Sequence, residues 1–182
     1  SGPGATNAVT GIATAYADSV PLVVFSGQVA TPLIGSDAFQ ECDTVGITRP
    51  CVKHNYLVKK IENLPRILKE AFYIARSGRP GPVLVDLPKD IQDAKAPFEY
   101  PDTIDIVSYR PVVKGHPGQI KRALQLLLAA KKPLFYVGGG TVLSDGAEAM
   151  NELAAMFNYP VVTTLTGIGG FDGTSLLSLG MV

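Results

Sequence analysis

Short apolar runs alternate with segments of helical periodicity along this 182-residue chain. Residues 21–26 (PLVVFS) and 82–87 (PVLVDL) are continuous apolar runs, typical of strands buried on both faces of a parallel sheet. Between them, residues 63–76 have a single apolar stripe that predicts a helix. A shorter helix is predicted over 37–45, with Asp37 as its N-cap. This alternation predicts an α/β protein with parallel sheets flanked by helices.

The alternation occurs twice, which predicts two incomplete doubly wound domains. The first covers residues 1–92, and the second covers residues 116–182, where predicted strands over 133–137 and 160–164 follow predicted helices. Residues 93–115 contain three prolines and no sustained period, which is typical of a linker. The sequence begins SGPG without methionine and ends GMV without a polar tail, so we expect a segment of a longer polypeptide.

The composition argues against several classes of function. Sixteen Lys and Arg balance sixteen Asp and Glu, so the chain has no electrostatic footprint for nucleic acid or an anionic membrane. Its long uncharged stretches contain Pro, Asn, Gln, Thr and Gly, which a lipid-exposed helix disfavours. Cys42 and Cys51 lack zinc-site spacing, and no metal cluster or Ser/His/Asp triad is evident.

Two loops rich in Gly and Thr follow neighbouring predicted strands in the second domain. Residues 138–140 are three glycines, and residues 163–167 read TTLTG. Loops at neighbouring strand ends are where an α/β sheet binds nucleotides, although tight strand-to-helix turns remain the alternative because G-x-G-x-x-G is incomplete. Arg79, in a stiff Gly/Pro turn, and Lys89, after a predicted strand, could each bind an anion or stay solvated.

Several strings occur in the same order in one enzyme family. They are SGPGATN at 1–7, FSGQV at 25–29, DAFQE at 37–41, SGRPGPVLVDLPKD at 77–90, YVGGG at 136–140 and TTLTGIG at 163–169. Over essentially its whole length the chain resembles the large, catalytic subunit of the acetohydroxyacid synthases (acetolactate synthases), a family of thiamine-diphosphate enzymes. The 77–90 string is the most specific, whereas SGPGATN specifies only the superfamily.

The resemblance implies thiamine-diphosphate-dependent decarboxylation of pyruvate and ligation to a second 2-ketoacid, pyruvate or 2-ketobutyrate, in branched-chain amino-acid biosynthesis. The implied cofactors are thiamine diphosphate, Mg²⁺ and FAD, the last with no net redox role. Residues 1–92 would be the C-terminal part of the pyrimidine-binding domain, and residues 116–182 the N-terminal part of the central FAD-binding domain. The thiamine-activating glutamate and the Mg²⁺-binding motif would lie outside this segment, so we expect the segment alone to be inactive.

The resemblance also implies site residues, matched position by position. In the catalytic group, Gln40 would lie beside the thiamine, Phe39 in the substrate pocket and Lys89 at the mouth of the site. The implied cofactor-binding residues are Pro3 and Asn7 for thiamine diphosphate, and Arg79, Gly138, Gly139, Gly140, Thr164, Leu165, Gly180 and Met181 for FAD. No metal ligand is implied within the segment. The chain departs from the family pattern at Ala30, where Pro is frequent, and at Val182, where His is usual.

The family's active site forms between two chains, so the resemblance implies at least a homodimer, and many members also have a small regulatory subunit. It implies a bacterial cytoplasmic or a eukaryotic organellar location, with no nucleic-acid or membrane partner. Two alternatives stay open. One is another thiamine-diphosphate carboligase or decarboxylase, such as a glyoxylate carboligase. The other is a non-catalytic nucleotide-binding module that uses the 138–140 loop.

Overall fold

The chain divides into two compact units, residues 1–113 and 114–182, in a computed structural model that describes all 182 residues. Each unit contains a three-stranded parallel sheet with helices packed against it. The predicted α/β class, with parallel sheets flanked by helices, is therefore confirmed. None of the helices combines the length and the apolar character that a membrane crossing requires.

The first unit places its most deeply buried strand in the middle of the sheet. Its elements are α1 (Gly2–Ala17), β1 (Leu22–Gln28), α2 (Thr44–Thr48), β2 (His54–Leu57), α3 (Leu64–Arg76), β3 (Pro82–Pro88) and α4 (Lys89–Asp93). The strand order is β1-β3-β2. The expectation of burial on both faces is confirmed for β3 and wrong for β1, because β1 is an edge strand on which Phe25 remains 49% exposed.

Helices cover both faces of β3. Val83 and Val85 pack with the stripe of α3 that includes Ala71 and Ile74. Leu84 points to the other face, as alternation along a strand requires, and packs with Ile12 of α1 and with Val52. The sheet is thereby held in register by two separate apolar clusters.

The helix predicted over 37–45 is wrong. Residues 37–43 form an irregular loop, and α2 begins only at Thr44. Asp43 is the N-cap, because its carboxylate accepts a hydrogen bond from the Gly46 amide at 2.9 Å. Asp37 has a left-handed backbone (φ 56°), a conformation that a right-handed helix does not contain.

Part of the segment predicted as a linker packs on the first unit. Lys53 Nζ donates a hydrogen bond to the hydroxyl of Tyr109 at 3.0 Å, and that hydroxyl donates to the Ser77 carbonyl at 2.8 Å. The boundary between the two compact units falls within the predicted linker, residues 93–115. The assignment of 1–92 and 116–182 to particular family domains stays a prediction.

The second unit builds its sheet from three short strands. Its elements are α5 (Pro117–Ala129), β4 (Phe135–Val137), α6 (Gly139–Leu143), α7 (Ala147–Phe157), β5 (Val161–Thr163) and β6 (Ser178–Met181). The strand order is β4-β5-β6, so β5 is central. Val137, Val161 and Phe171 form the core with Ala154 of α7. The sequence predicted the longer helices and the first two strands, but neither α6 nor β6.

Gly167 holds the loop after β5 against β4. A Cβ at this position would overlap the carbonyl oxygen of Val137, which is backbone and has little room to move. We expect Gly167→Ala to lower the free energy of unfolding of the second unit by about 2 kcal/mol, the usual cost of forced overpacking. Gly173→Ala is the matched control, because a Cβ there meets no atom within 4 Å. Equal denaturation midpoints for the two variants would contradict the expectation.

Candidate active site

The first unit gathers several chain segments at the carboxyl edge of its sheet. The chain leaves β1 at Gln28 and β3 at Pro88. The two connections are tied together, because the Thr31 amide donates to Asp90 Oδ1 at 2.9 Å. The beginning of α1 lies against Gly27 of β1. This is the edge at which open parallel sheets bind their ligands.

Gln40 approaches the first turn of α1 at this edge. Its Oε1 lies 3.4 Å from Ser1 Oγ, and its carbonyl oxygen leaves no room for a Cβ at Gly2. Pro3 and Asn7, both exposed, lie on the first two turns of the same helix. The structure therefore brings Gln40 together with the helix that carries both predicted thiamine-binding residues.

Two predicted catalytic side chains stand open to solvent. Phe39 precedes Gln40 and is 88% exposed, so its ring is available to a ligand or to another protein surface. Lys89 begins α4 directly after β3, and its Nζ lies 3.3 Å from Asp93 Oδ2 in an exposed ion pair. Such exposed pairs contribute little free energy, so the ammonium group stays accessible to an anion. No contact joins Lys89 to Gln40.

A buried polar network beneath this edge was not among the predicted site residues. Asp86 is 1% exposed and accepts hydrogen bonds from Ser26 Oγ at 2.7 Å and Gln28 Nε2 at 3.0 Å. Gln28 Nε2 also donates to the Cys42 carbonyl at 2.6 Å. The network thus links β3 and β1 to the loop that carries Gln40. The sequence contains one signal of this network, which is Asp86 inside an apolar strand. A buried carboxylate needs hydrogen-bond partners.

Burial determines the titration of the Asp86 carboxyl group. Its removal from water raises the pKa above the ordinary value of 3.8, although hydrogen bonds from Ser26 and Gln28 act in the opposite direction. Asp90, in contrast, has a lowered pKa because the Thr31 amide stabilises its carboxylate. The two carboxyl groups at this edge therefore differ in their tendency to ionise.

Arg79 lies at the opposite edge of the first unit. It occupies the turn before β3, and its guanidinium donates to Ser19 Oγ at 2.8 Å and to the Ala17 carbonyl at 3.0 Å. These bonds satisfy carbonyl groups at the C-terminus of α1, where a cation is favourable. The structure does not bring Arg79 together with Gln40 or Lys89.

In the second unit, the remaining predicted cofactor residues lie at the carboxyl edge of the sheet. The loop after the central strand β5 is flanked by the loop after β4 and by the end of β6. The Thr164 amide donates to the Val137 carbonyl at 2.9 Å, and the Val182 amide donates to the Thr163 carbonyl at 3.0 Å. The residues brought to this edge are Gly138, Gly139, Gly140, Thr164, Leu165, Gly180 and Met181.

Backbone and hydroxyl groups dominate this second edge. A Cβ at Gly139 would lie 3.1 Å from Thr166, so a side chain at position 139 would require Thr166 to move by a few tenths of an ångström. A Cβ at Gly140 or Gly180 would meet no atom within 4 Å. Thr164 Oγ1 lies 3.2 Å from Thr166 Oγ1. Thr164 Oγ1 also accepts a hydrogen bond from the Gly167 amide, so this edge offers a ligand open backbone at Gly140 and Gly180 and the exposed side chains of Leu165 and Met181.

Two family models match the chain in the same order as its two units. "Thiamine pyrophosphate enzyme, N-terminal TPP binding domain" matches residues 1–47, and "Thiamine pyrophosphate enzyme, central domain" matches residues 120–182. The chain belongs to the thiamine pyrophosphate enzymes. The family resemblance predicted from the sequence strings is thereby confirmed.

Curated relatives match this chain along its entire length. It is 59% identical to "Acetolactate synthase isozyme 3 large subunit" of Escherichia coli (strain K12) and 56% identical to "Acetolactate synthase large subunit" of Haemophilus influenzae. It is 51% identical to the protein of the latter name from Corynebacterium glutamicum. Each alignment covers 100% of this chain, 32% of the first two relatives and 29% of the third. The chain thus spans about a third of the length of these curated relatives.

Proposed function

We propose that this chain contributes to an acetolactate synthase that decarboxylates pyruvate and joins the two-carbon unit to a second 2-ketoacid. The observation that carries the proposal is the contact between Gln40 and the first turn of α1 at the carboxyl edge of the first sheet. The family model for thiamine binding covers both of these elements. The similarity to acetolactate synthase large subunits favours this carboligation over that of a glyoxylate carboligase.

The residues at the first edge suit the binding of thiamine diphosphate and a ketoacid. When bound, thiamine diphosphate supplies the electron sink for decarboxylation. Pro3 and Asn7 would line its pocket, and the Gln40 amide can donate and accept hydrogen bonds beside it. Phe39 would pack on the apolar part of a substrate, and the Lys89 ammonium would attract its carboxylate. Mg²⁺, with ligands outside these residues, stays a prediction.

The second edge suits FAD in a structural role. Gly138, Gly139 and Gly140 would allow the flavin nucleotide close to the backbone, and Thr164 would offer a hydroxyl group. Leu165, Gly180 and Met181 would cover its apolar part. Arg79, in the first unit, has Nη1 available for an anion, since its present bonds to the end of α1 use Nε and Nη2. The flavin would be a structural group at this edge, without net oxidation or reduction.

A second protein surface would complete the first edge. Phe39 is almost fully exposed, and Pro3 and Asn7 also face solvent, so these residues alone do not enclose a ligand. Closing an active site against water strengthens every electrostatic interaction inside it. A homodimer with the site between chains would provide that closure. The regulatory subunit, 2-ketobutyrate as second substrate and the bacterial cytoplasm as location remain proposals from family membership.

The test is an assay of the full-length gene product for acetolactate. The purified protein is first freed of cofactors and then given pyruvate, Mg²⁺ and FAD, with or without thiamine diphosphate. We expect acetolactate only when thiamine diphosphate is present. Parallel reactions with glyoxylate, benzoylformate and pyruvate plus 2-ketobutyrate report the substrate class. Turnover of glyoxylate but not pyruvate would favour the glyoxylate carboligase, and tight FAD binding without any carboligation would favour a binding module.

A further inference from the structure

The loop that carries Phe39 and Gln40 has an unfavourable backbone. Asp37 (φ 56°) and Gln40 (φ 61°) both lie in the left-handed region, although both have a Cβ. Such conformations persist only where the surrounding structure holds them, and they are concentrated at functional sites. The contacts that hold this loop therefore decide where the Gln40 side chain lies.

One carboxylate closes the loop from within. Glu41 Oε1 accepts a hydrogen bond from the Gly35 amide, and Oε2 accepts one from the Ala38 amide at 3.0 Å. The Glu41 amide donates in turn to the Ala38 carbonyl at 2.9 Å. The amides of Gly35 and Ala38 also lower the pKa of Glu41, so the side chain is ionised near neutral pH. Both carboxylate oxygens are thus used as acceptors across the turn that contains Asp37.

The far side of the loop is fixed independently. Gln28 Nε2, anchored on Asp86, holds the Cys42 carbonyl at 2.6 Å. Gly2 of α1 packs directly on the Gln40 carbonyl oxygen. Within the loop, Ser36 is tied to the Leu33 carbonyl, and the Glu41 carboxylate makes the side-chain hydrogen bonds that bridge residues 35 and 38.

We infer that Glu41 is a positioning residue that holds Gln40 in its working orientation. The inference rests on the proposed function, in which Gln40 lies beside the cofactor and substrate. An amide cannot replace the carboxylate here, because glutamine has one acceptor oxygen and an NH₂ group that would face the second backbone N–H. Glu41→Gln keeps the number of heavy atoms and nearly the same volume, while it removes the negative charge and replaces one acceptor oxygen by an NH₂ donor.

The test is a double-mutant cycle in the full-length gene product, with kcat/KM for acetolactate formation as the readout. We expect Glu41→Gln to lower kcat/KM about tenfold when Gln40 is present, and less than about twofold in the Gln40→Ala background. Glu62→Gln is the matched control, because Glu62 is exposed and lies outside the loop that carries Gln40. It is expected to keep the parental activity. An equal loss in both backgrounds, or no loss in either, would overturn the inference.

Amide hydrogen exchange in the same proteins reports the loop directly. We expect exchange at Gly35 and Ala38 to be faster in Glu41→Gln than in the parent and unchanged in Glu62→Gln. Unaltered exchange at both amides would also overturn the inference. A parent protein that forms no acetolactate would overturn the proposed function itself, whereas an active parent with an unaffected Glu41→Gln variant would overturn only the role of Glu41.

Discussion

Replacing Asp86 by Ala is expected to lower the free energy of unfolding of the first unit by about 3 kcal/mol. The carboxylate is buried in the central strand and accepts hydrogen bonds from Ser26 and Gln28. Alanine leaves the Ser26 hydroxyl without its acceptor and leaves Gln28 Nε2 with the Cys42 carbonyl as its single acceptor. Chemical denaturation of the first unit measures the loss.

The Asp86→Asn variant is the matched control. The new amide oxygen can accept from Gln28, and its NH₂ group can donate to the Ser26 hydroxyl, which accepts as well as donates. The network is then preserved with no buried charge. We expect the free energy of unfolding at neutral pH to change by less than about 1 kcal/mol. An equal loss for Asp86→Asn and Asp86→Ala would mean that the carboxylate form itself is required.

The pH dependence of the free energy of unfolding distinguishes the Asp86 carboxyl group of the parent from the amide of Asp86→Asn. The pKa of Asp86 is raised by burial above its ordinary value of 3.8. A carboxyl group with a higher pKa in the folded than in the unfolded chain stabilises the fold fully below the unfolded pKa. This stabilisation is lost as the pH rises through the folded pKa. The free energy of unfolding of the parent minus that of Asp86→Asn is therefore expected to fall as the pH is raised from below 3.8 towards neutrality.

The comparison of the parent with Asp86→Asn isolates this one group. Other carboxyl groups, such as Asp90 and Glu41, have lowered pKa values and give both proteins the opposite slope. Their contribution cancels in the difference. A difference that rises with pH would show that hydrogen bonds to Asp86 outweigh its burial.

The parallel sheets were predictable because their signals are local. The run PVLVDL covers all but the last residue of strand β3, and the apolar stripe of residues 64–76 marks α3 without knowledge of the partner surface. Strand position within the sheet has no such local signal. The run PLVVFS therefore suggested full burial, although Phe25 lies on an edge strand.

The loop around Gln40 could not be predicted from periodicity. Asp37 suggested the N-cap of a helix over 37–45, but Glu41 binds backbone amides of its own loop. A polar side chain that competes for backbone donors overrides a weak helical pattern. Strand β6 has four residues, and one of them, Gly180, has a left-handed backbone (φ 86°) that interrupts the extended conformation. A glycine in so short a segment does not indicate a strand in the sequence, so β6 was missed.

Sequence strings identify the candidate site residues, whereas the contacts between them are visible only in the structure. Matching strings named Gln40, Lys89 and the glycines of 138–140, and the structure groups these residues at two sheet edges. The link between Asp86, Gln28 and the loop joins residues far apart in sequence. No spacing rule connects them, because parallel pairing between β1 and β3 creates their proximity.

Replacing Gly2 by Ala is expected to lower kcat/KM for acetolactate formation about 100-fold, the scale of loss that a 1 Å misplacement of catalytic groups can produce. A Cβ at Gly2 would overlap the Gln40 carbonyl oxygen, and the φ of 31° is itself unfavourable for a residue with a side chain. Either the first turn of α1 or the Gln40 loop must then move. In the proposed site both elements contact the cofactor, so either movement separates groups that act together.

Gly4→Ala provides the control two residues further along α1. A Cβ at Gly4 meets no atom within 4 Å, and alanine in a helix is favoured over glycine by about 1 kcal/mol. This variant is expected to keep its activity and to be slightly more stable.

Steady-state kinetics of the full-length gene product, with unfolding midpoints measured alongside, tests both expectations. Loss of folded protein lowers the apparent kcat alone, whereas displacement of Gln40 from bound pyruvate also changes KM. Equal kinetics for Gly2→Ala and Gly4→Ala would therefore show that the contact between α1 and Gln40 does not position the site.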